Sequence, residues 1–159
     1  ISWDREQFET DPFLVLVKLG GEVESEPWGR WFSDSLWHFD AECIEDHGAY
    51  ARIAERMRTL AHGDLPLTNV SDFVDIEAGE AWVSFELDGS TIKWEAAVQD
   101  DWVDPTILGR FAALLRSRGV GRRFTNLDLG GQDCLLGCAS DDQLRMLREN
   151  TGLECQWLE

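Results

Sequence analysis

Between Val83 and Val98 the chain reads as two alternating runs joined by a turn. Val83, Phe85 and Leu87 alternate with Ser84 and Glu86, and Ile92, Trp94, Ala96 and Val98 alternate with Lys93 and Glu95. Asp88-Gly89 stands between the runs, a pair suited to the positive φ angles of a tight hairpin turn. A period of two puts one face of each run inside and the other in solvent, so this stretch is committed to an antiparallel sheet. Phe124 to Leu129 and Cys134 to Cys138 read as a second hairpin across Gly130-Gly131. Trp37, Phe39, Ala41 and Cys43 alternate with His38, Asp40 and Glu42, which predicts a half-buried strand with an acidic outer face. Leu14 to Leu19, nearly all apolar, reads as a central strand covered on both faces, and Leu153 to Leu158 as a last strand.

Three segments carry helical spacing instead. After Asp46-His47-Gly48, with Asp46 read as the cap, Tyr50, Ile53, Ala54, Met57, Leu60 and Ala61 fall on one face, and His62-Gly63 closes the helix. Asp104-Pro105 pairs a carboxylate cap with proline at the first helical position, ahead of an apolar face of Ile107, Leu108, Phe111, Leu114 and Leu115. Ser140-Asp141-Asp142-Gln143 matches a capping box, with Leu144 and Leu147 turned inward and Asn150-Thr151-Gly152 as the stop. The grouping of elements predicts a single α+β domain over 1–159: a largely antiparallel sheet with about three helices packed on one side.

Composition narrows the functional classes. Lys and Arg number 14 against 31 Asp and Glu, a formal charge of −17. Residues 1–104 hold 24 acids and 7 bases, and residues 105–159 hold 7 of each, so the whole excess lies in the first two-thirds. Such a surface repels phosphates, which argues against nucleic acid and against an anionic membrane face. The longest apolar run, Phe13 to Val17, is far short of the roughly 18–20 residues of a membrane span. The excess serves either solubility alone or a positively charged partner.

Four cysteines, Cys43, Cys134, Cys138 and Cys155, are too few for a disulfide scaffold in a chain of 159 residues. On one strand Cys134 and Cys138 stand about 13 Å apart, too far for a disulfide or a shared zinc ion. Free thiols fit a reducing cytoplasm. The first residue is Ile1 rather than methionine, which leaves an export signal ahead of it open.

Motifs for chemistry are sparse. Gly119-Val120-Gly121 follows a helix and has Phe124 where a dinucleotide fingerprint needs glycine. No nucleophile elbow, P-loop or His-Glu-x-x-His pattern occurs, so the reading names no catalytic residue, metal or cofactor. His38, Asp40, Glu42, Glu45, Asp46 and His47 form one dense cluster. On a strand, His38, Asp40 and Glu42 share a face, roughly 6–7 Å between neighbours. They are either a hydrolytic or metal-assisted site, or a solvated face running into an acidic helix start.

Eight tryptophans against one tyrosine is unusual usage. Trp37 and Trp94 fall on inward strand faces. Trp28, Trp31, Trp82 and Trp102 sit in loops or at element ends, as covers over the core edge, as anchors for a partner protein, or as stacking surfaces for a sugar. The acidic stretch Glu22 to Glu26, the segment Trp28-Gly29-Arg30-Trp31 and the run Asp100-Asp101-Trp102-Val103-Asp104-Pro105 combine charge with aromatics. In this combination the chain resembles the immunity proteins of bacterial polymorphic-toxin and contact-inhibition systems. The resemblance implies a cytoplasmic, non-enzymatic inhibitor that binds a basic toxin, often a nuclease, one to one. The expected contact residues are Glu22, Glu24, Glu26, Trp28, Trp31, Asp100, Asp101 and Trp102. The competing readings are a small hydrolase on the His38/Asp40/Glu42 face and a carbohydrate or small-ligand module built on the tryptophans.

Overall fold

The computed structural model describes residues 5–11 and 13–159; Ile1, with the question of what precedes it, lies outside them. The elements run α1 (Arg5–Thr10), α2 (Leu14–Leu19), β1 (Leu36–Asp40), α3 (Ala49–Leu60), β2 (Thr68–Asp75), β3 (Glu80–Leu87), β4 (Ser90–Ala96), α4 (Pro105–Ser117), β5 (Arg123–Asp128), β6 (Asp133–Ala139), α5 (Asp141–Thr151) and β7 (Gln156–Trp157). The class is α+β, with antiparallel pairing throughout. The strands divide between two sheets rather than one: a four-stranded sheet in the order β1-β6-β5-β7 and a three-stranded sheet in the order β2-β3-β4. Both predicted hairpins form, with Leu87 opposite Ser90 in one and Asp128 opposite Cys134 in the other.

Helices α3 and α4 join the sheets. Helix α3 packs on β2 and β3 of the smaller sheet and on β1 of the larger, while α4 touches β4 and β5. The predicted face of α3 is fully buried, and Ile107, Phe111 and Leu115 of α4 complete one continuous core with Trp37, Phe39, Val83, Phe85, Phe124 and Leu136. Trp94 is half-buried, edge-on to Phe85 and to Phe111 with ring centroids 4.9 Å away in each case.

Four local expectations need correction. Leu14–Leu19 is a helix, not a central strand, and none of its residues is fully buried. A short apolar run has no period of its own, and here the edge of β1 is taken by Gly20, whose carbonyl accepts the His38 N–H at 2.8 Å. A second difference lies at the start of α3. Gly48, at φ 94°, occupies the N-cap, and the carboxylate of Asp72 on β2 receives the Gly48 N–H at 2.7 and 2.9 Å and the Ala51 N–H at 3.1 Å. Asp46 instead accepts the neighbouring His47 N–H at 2.6 Å. Trp82 lies within β3 rather than at an element end, stacked on Phe73 at 6.1 Å beneath the Lys93 ammonium. Finally, Leu147 of α5 is exposed and only Leu144 is buried. The caps of the other two long helices follow expectation: Asp104 accepts the Thr106 N–H, and Ser140 with Gln143 makes the capping box. No helix among the described residues is long and apolar enough to cross a membrane.

Candidate functional site

Strand β1 stops at Asp40, short of the predicted Cys43, and the chain continues as a ribbon alongside residues 100–103. The Val103 N–H bonds the Ala41 carbonyl and the Ile44 N–H bonds the Asp101 carbonyl, each at 2.8 Å, with a bridge between Glu42 and Trp102. Ile44 and Val103 are buried and fasten the ribbon to the core. Glu42, Glu45, Asp46 and Asp100 are left exposed, and Asp101 half-exposed. Asp100 turns the corner in the left-handed region at φ 56°. Just beyond, Asp104 anchors the corner: its carboxylate takes the Ala97 N–H at 2.8 Å and the Thr106 N–H at 2.9 Å, and its own N–H reaches the Tyr50 hydroxyl at 3.0 Å. Burial alone would raise the Asp104 pKa, but these donors outweigh it and hold the carboxyl below its ordinary value.

The predicted His38/Asp40/Glu42 face is only partly assembled. Gln132, before β6, uses the two hydrogens of its amide to hold Asp40 at 2.9 Å and Glu42 at 3.0 Å. His38 turns away to Asp133, with Nε2 at 3.2 Å from the carboxylate. His47 is also engaged, its Nδ1 accepting the Val74 N–H at 3.0 Å. Among the described residues, no three His, Cys, Asp or Glu side chains are placed to hold a metal ion. The amide cancels none of the negative charge it organises, so the pair remains an electrostatic feature aimed at solvent.

The second expected contact segment, residues 21–32, is a small arm. Val23 N–H bonds the Arg30 carbonyl at 2.8 Å and Phe32 N–H bonds the Gly21 carbonyl at 3.2 Å, with Glu22 bridged to Trp31. The tip contains a cis bond between Glu26 and Pro27. There Arg30 donates to Pro27 O, Glu26 O and Ser25 Oγ, and the Glu22 carboxylate takes the Gly29 N–H at 2.9 Å. Glu22 is therefore spent on the arm itself, whereas Glu24 and Glu26 face water. Trp28 is 68% exposed and Phe32 53% exposed. Trp31 is half-buried as a cover, edge-on to Trp37 at 6.2 Å. Sequence reading did not single out Phe32; the one signal for it was its place after Trp31 in an otherwise polar stretch.

Arm and ribbon border the same concavity. A slot of about 160 Å³ is lined by Trp31 from the arm, Asp40 and Cys43 from the ribbon, and Arg52 and Ile53 from α3. A neighbouring hollow of about 300 Å³ shares Asp40, Cys43 and Arg52 and adds Glu42, Glu45 and Asp46. Trp102, 41% exposed, is bridged to Glu42 on the ribbon. Six of the eight expected contact residues thus present side chains to solvent, and two, Glu22 and Trp31, serve mainly to build the surface. Fold and face together define a small α+β protein with an acidic hollow that adjoins an aromatic-lined slot. No protein-family model, curated protein or solved structure matches this chain.

Proposed function

We propose that this chain is a protein-binding inhibitor of the immunity type, which neutralises a basic bacterial toxin by one-to-one binding in the cytoplasm. The observation that carries the reading is an acidic hollow lined by Asp40, Glu42, Glu45 and Asp46, with exposed Trp102 bridged to Glu42 and an adjoining slot lined by Trp31 of the arm, which also carries exposed Trp28 and Phe32. Opposite potentials speed encounter, and a desolvated aromatic then slows release. Four free cysteines support a reducing compartment.

The test is binding kinetics against a purified basic toxin domain encoded beside this reading frame, at low and high salt. A one-to-one complex is expected, with association slowed by salt. Replacing Asp100 and Asp101 by Asn should slow association and flatten that salt dependence. Trp102→Ala should shorten residence about thirtyfold, the equivalent of about 2 kcal/mol, while the free protein stays folded. Binding insensitive to salt and to both changes would place the interface elsewhere. Failure to bind any protein, with a sugar or a divalent metal bound instead, would overturn the reading in favour of a ligand module or a hydrolase.

A further inference from the structure

Arg56 on α3 is 3% exposed, yet among the described residues no carboxylate lies within ion-pair distance of it. Its Nη2 donates to two main-chain carbonyls, Ser33 O at 3.1 Å and Leu36 O at 3.0 Å. Its Nε is buried and has no hydrogen-bond partner among the described residues. The guanidinium carbon lies 4.1 Å from the Trp31 ring centroid and 5.9 Å from that of Trp37. Burial lowers its pKa to about 10, with Asp34 opposing the shift. A buried cation bonded to main-chain carbonyls rather than to a carboxylate, in a chain with a large excess of acids, is a costly arrangement for core packing alone. Its contacts fall where residues 21–32 return to β1, on the base of the arm.

We infer that Arg56 is the positioning residue of the arm that carries Trp28 and Phe32. The arm is stitched internally by its own ribbon bonds, so its direction depends on how its two ends are held. One end is fixed by close approach: a Cβ on Gly20 would stand 2.4 Å from the His38 nitrogen. The other end is held by Arg56, whose Nη2 donates to the Ser33 and Leu36 carbonyls while its guanidinium stacks on Trp31. Arginine suits this task because a planar, weakly hydrated cation donates in its plane while its face lies on an aromatic ring. An ordered arm loses less entropy when a partner binds, so the functional value of Arg56 rests on the proposed binding role. Its positioning of the arm does not.

The test uses the whole chain and trypsin. In the native protein the Arg30 side chain is held by three acceptors at the arm tip, which protects the Arg30–Trp31 bond. Arg56→Met and Arg56→Lys should each speed cleavage after Arg30 about tenfold or more, with cleavage after Arg116 unchanged. Amide exchange at Val23 and Phe32 should rise in step. A combined Trp31→Phe and Arg56→Lys variant should be cut no faster than the sum of single effects predicts, because the two residues act as one stack. Unchanged cleavage after Arg30 in folded variants would overturn the inference. So would equal acceleration at Arg30 and Arg116, or loss of folding in both single variants, since either means that Arg56 holds the whole core. An arm that loosens while toxin binding stays unaltered would support the positioning role and count against the arm as part of the interface.

Discussion

Cys43 and Cys134 are half-buried beside carboxylates, and this governs their chemistry. Burial first, and then Asp40, pushes the Cys43 thiol up to about 11; burial, with Asp128 and Asp133, pushes Cys134 to about 12. Both values lie above the unfolded value of about 8.5. The neutral thiols therefore contribute their full stability below about pH 8.5 and lose it as pH rises through 11 to 12, because the unfolded chain ionises first. Stability in urea should fall between pH 8.5 and 10.5 by on the order of 1 kcal/mol per pH unit for each thiol. Replacing both residues with alanine should make that slope shallower. Thiol titration at pH 8 should run slowly on the native protein and reach four groups after unfolding without reductant. Fewer than four would reveal a disulfide. Spacing on one strand was enough to anticipate separate thiols at Cys134 and Cys138. It could not anticipate that Glu22 would be spent on the Gly29 N–H, or that Trp31 would cover the core while Phe32 faced water, because these depend on how the arm folds back on itself.

At the scale of elements, the start of α3 separates local from tertiary capping. Asp46 has the sequence position of a cap, but Asp72, 24 residues away from Gly48, does the work. Replacing Asp72 with alanine should cost about 1–2 kcal/mol in denaturant unfolding, by removing the acceptor of the Gly48 and Ala51 N–H groups. Asp46→Ala should change stability by less than about 0.5 kcal/mol. The reverse order would restore Asp46 as the cap. Helix α4 and helix α5 were legible because their caps are local: Asp104 with Thr106, and Ser140 with Gln143. The hairpins were legible for the same reason, since Asp88-Gly89 and the flanking alternation lie within one short stretch. Strand β2 escaped because a register shift interrupts its pairing between Thr68 and Ser71 and only Val74 is fully buried, so no alternation marks it. Leu14–Leu19 has the composition of a buried strand because its apolar side chains serve two separate grooves. Val15 and Leu19 line one of about 460 Å³ against the arm, and Leu14, Leu16 and Val17 line another of about 490 Å³ against the larger sheet. An all-apolar strand and a helix with grooves on both sides have the same composition. The acidic contact face was legible as composition, while the meeting of residues 40–46 with 100–102 was not, since main-chain bonding between distant segments leaves no local pattern.

For the whole molecule, the charge excess has two consequences of opposite sign. A net charge of −17, concentrated in residues 1–104, makes the folded state repel itself, and unfolding relieves that repulsion by moving the charges apart. Salt screens this effect, but it also screens favourable pairs such as Arg118–Asp88 and Arg123–Asp141. The balance follows from magnitude. Exposed pairs contribute from nothing measurable to about 1 kcal/mol each, whereas every one of the surplus acids interacts with all the others inside a Debye length. Raising NaCl from about 20 mM to about 500 mM shortens that length from about 20 Å to about 4 Å. The free protein should therefore become more stable with salt, by roughly 1–2 kcal/mol, or about 2–8 °C in Tm. Binding of a basic partner should weaken over the same range, because the field that strains the free fold is the one that draws the partner in. Calorimetry of the free protein and kinetics of the complex, in matched buffers, measure the two responses separately. A Tm that falls with salt would mean that ion pairs outweigh repulsion in the fold. Opposite signs in the two measurements would tie the acidic excess to binding rather than to stability, since its cost in the free protein would then be offset only when a cation-rich surface covers it.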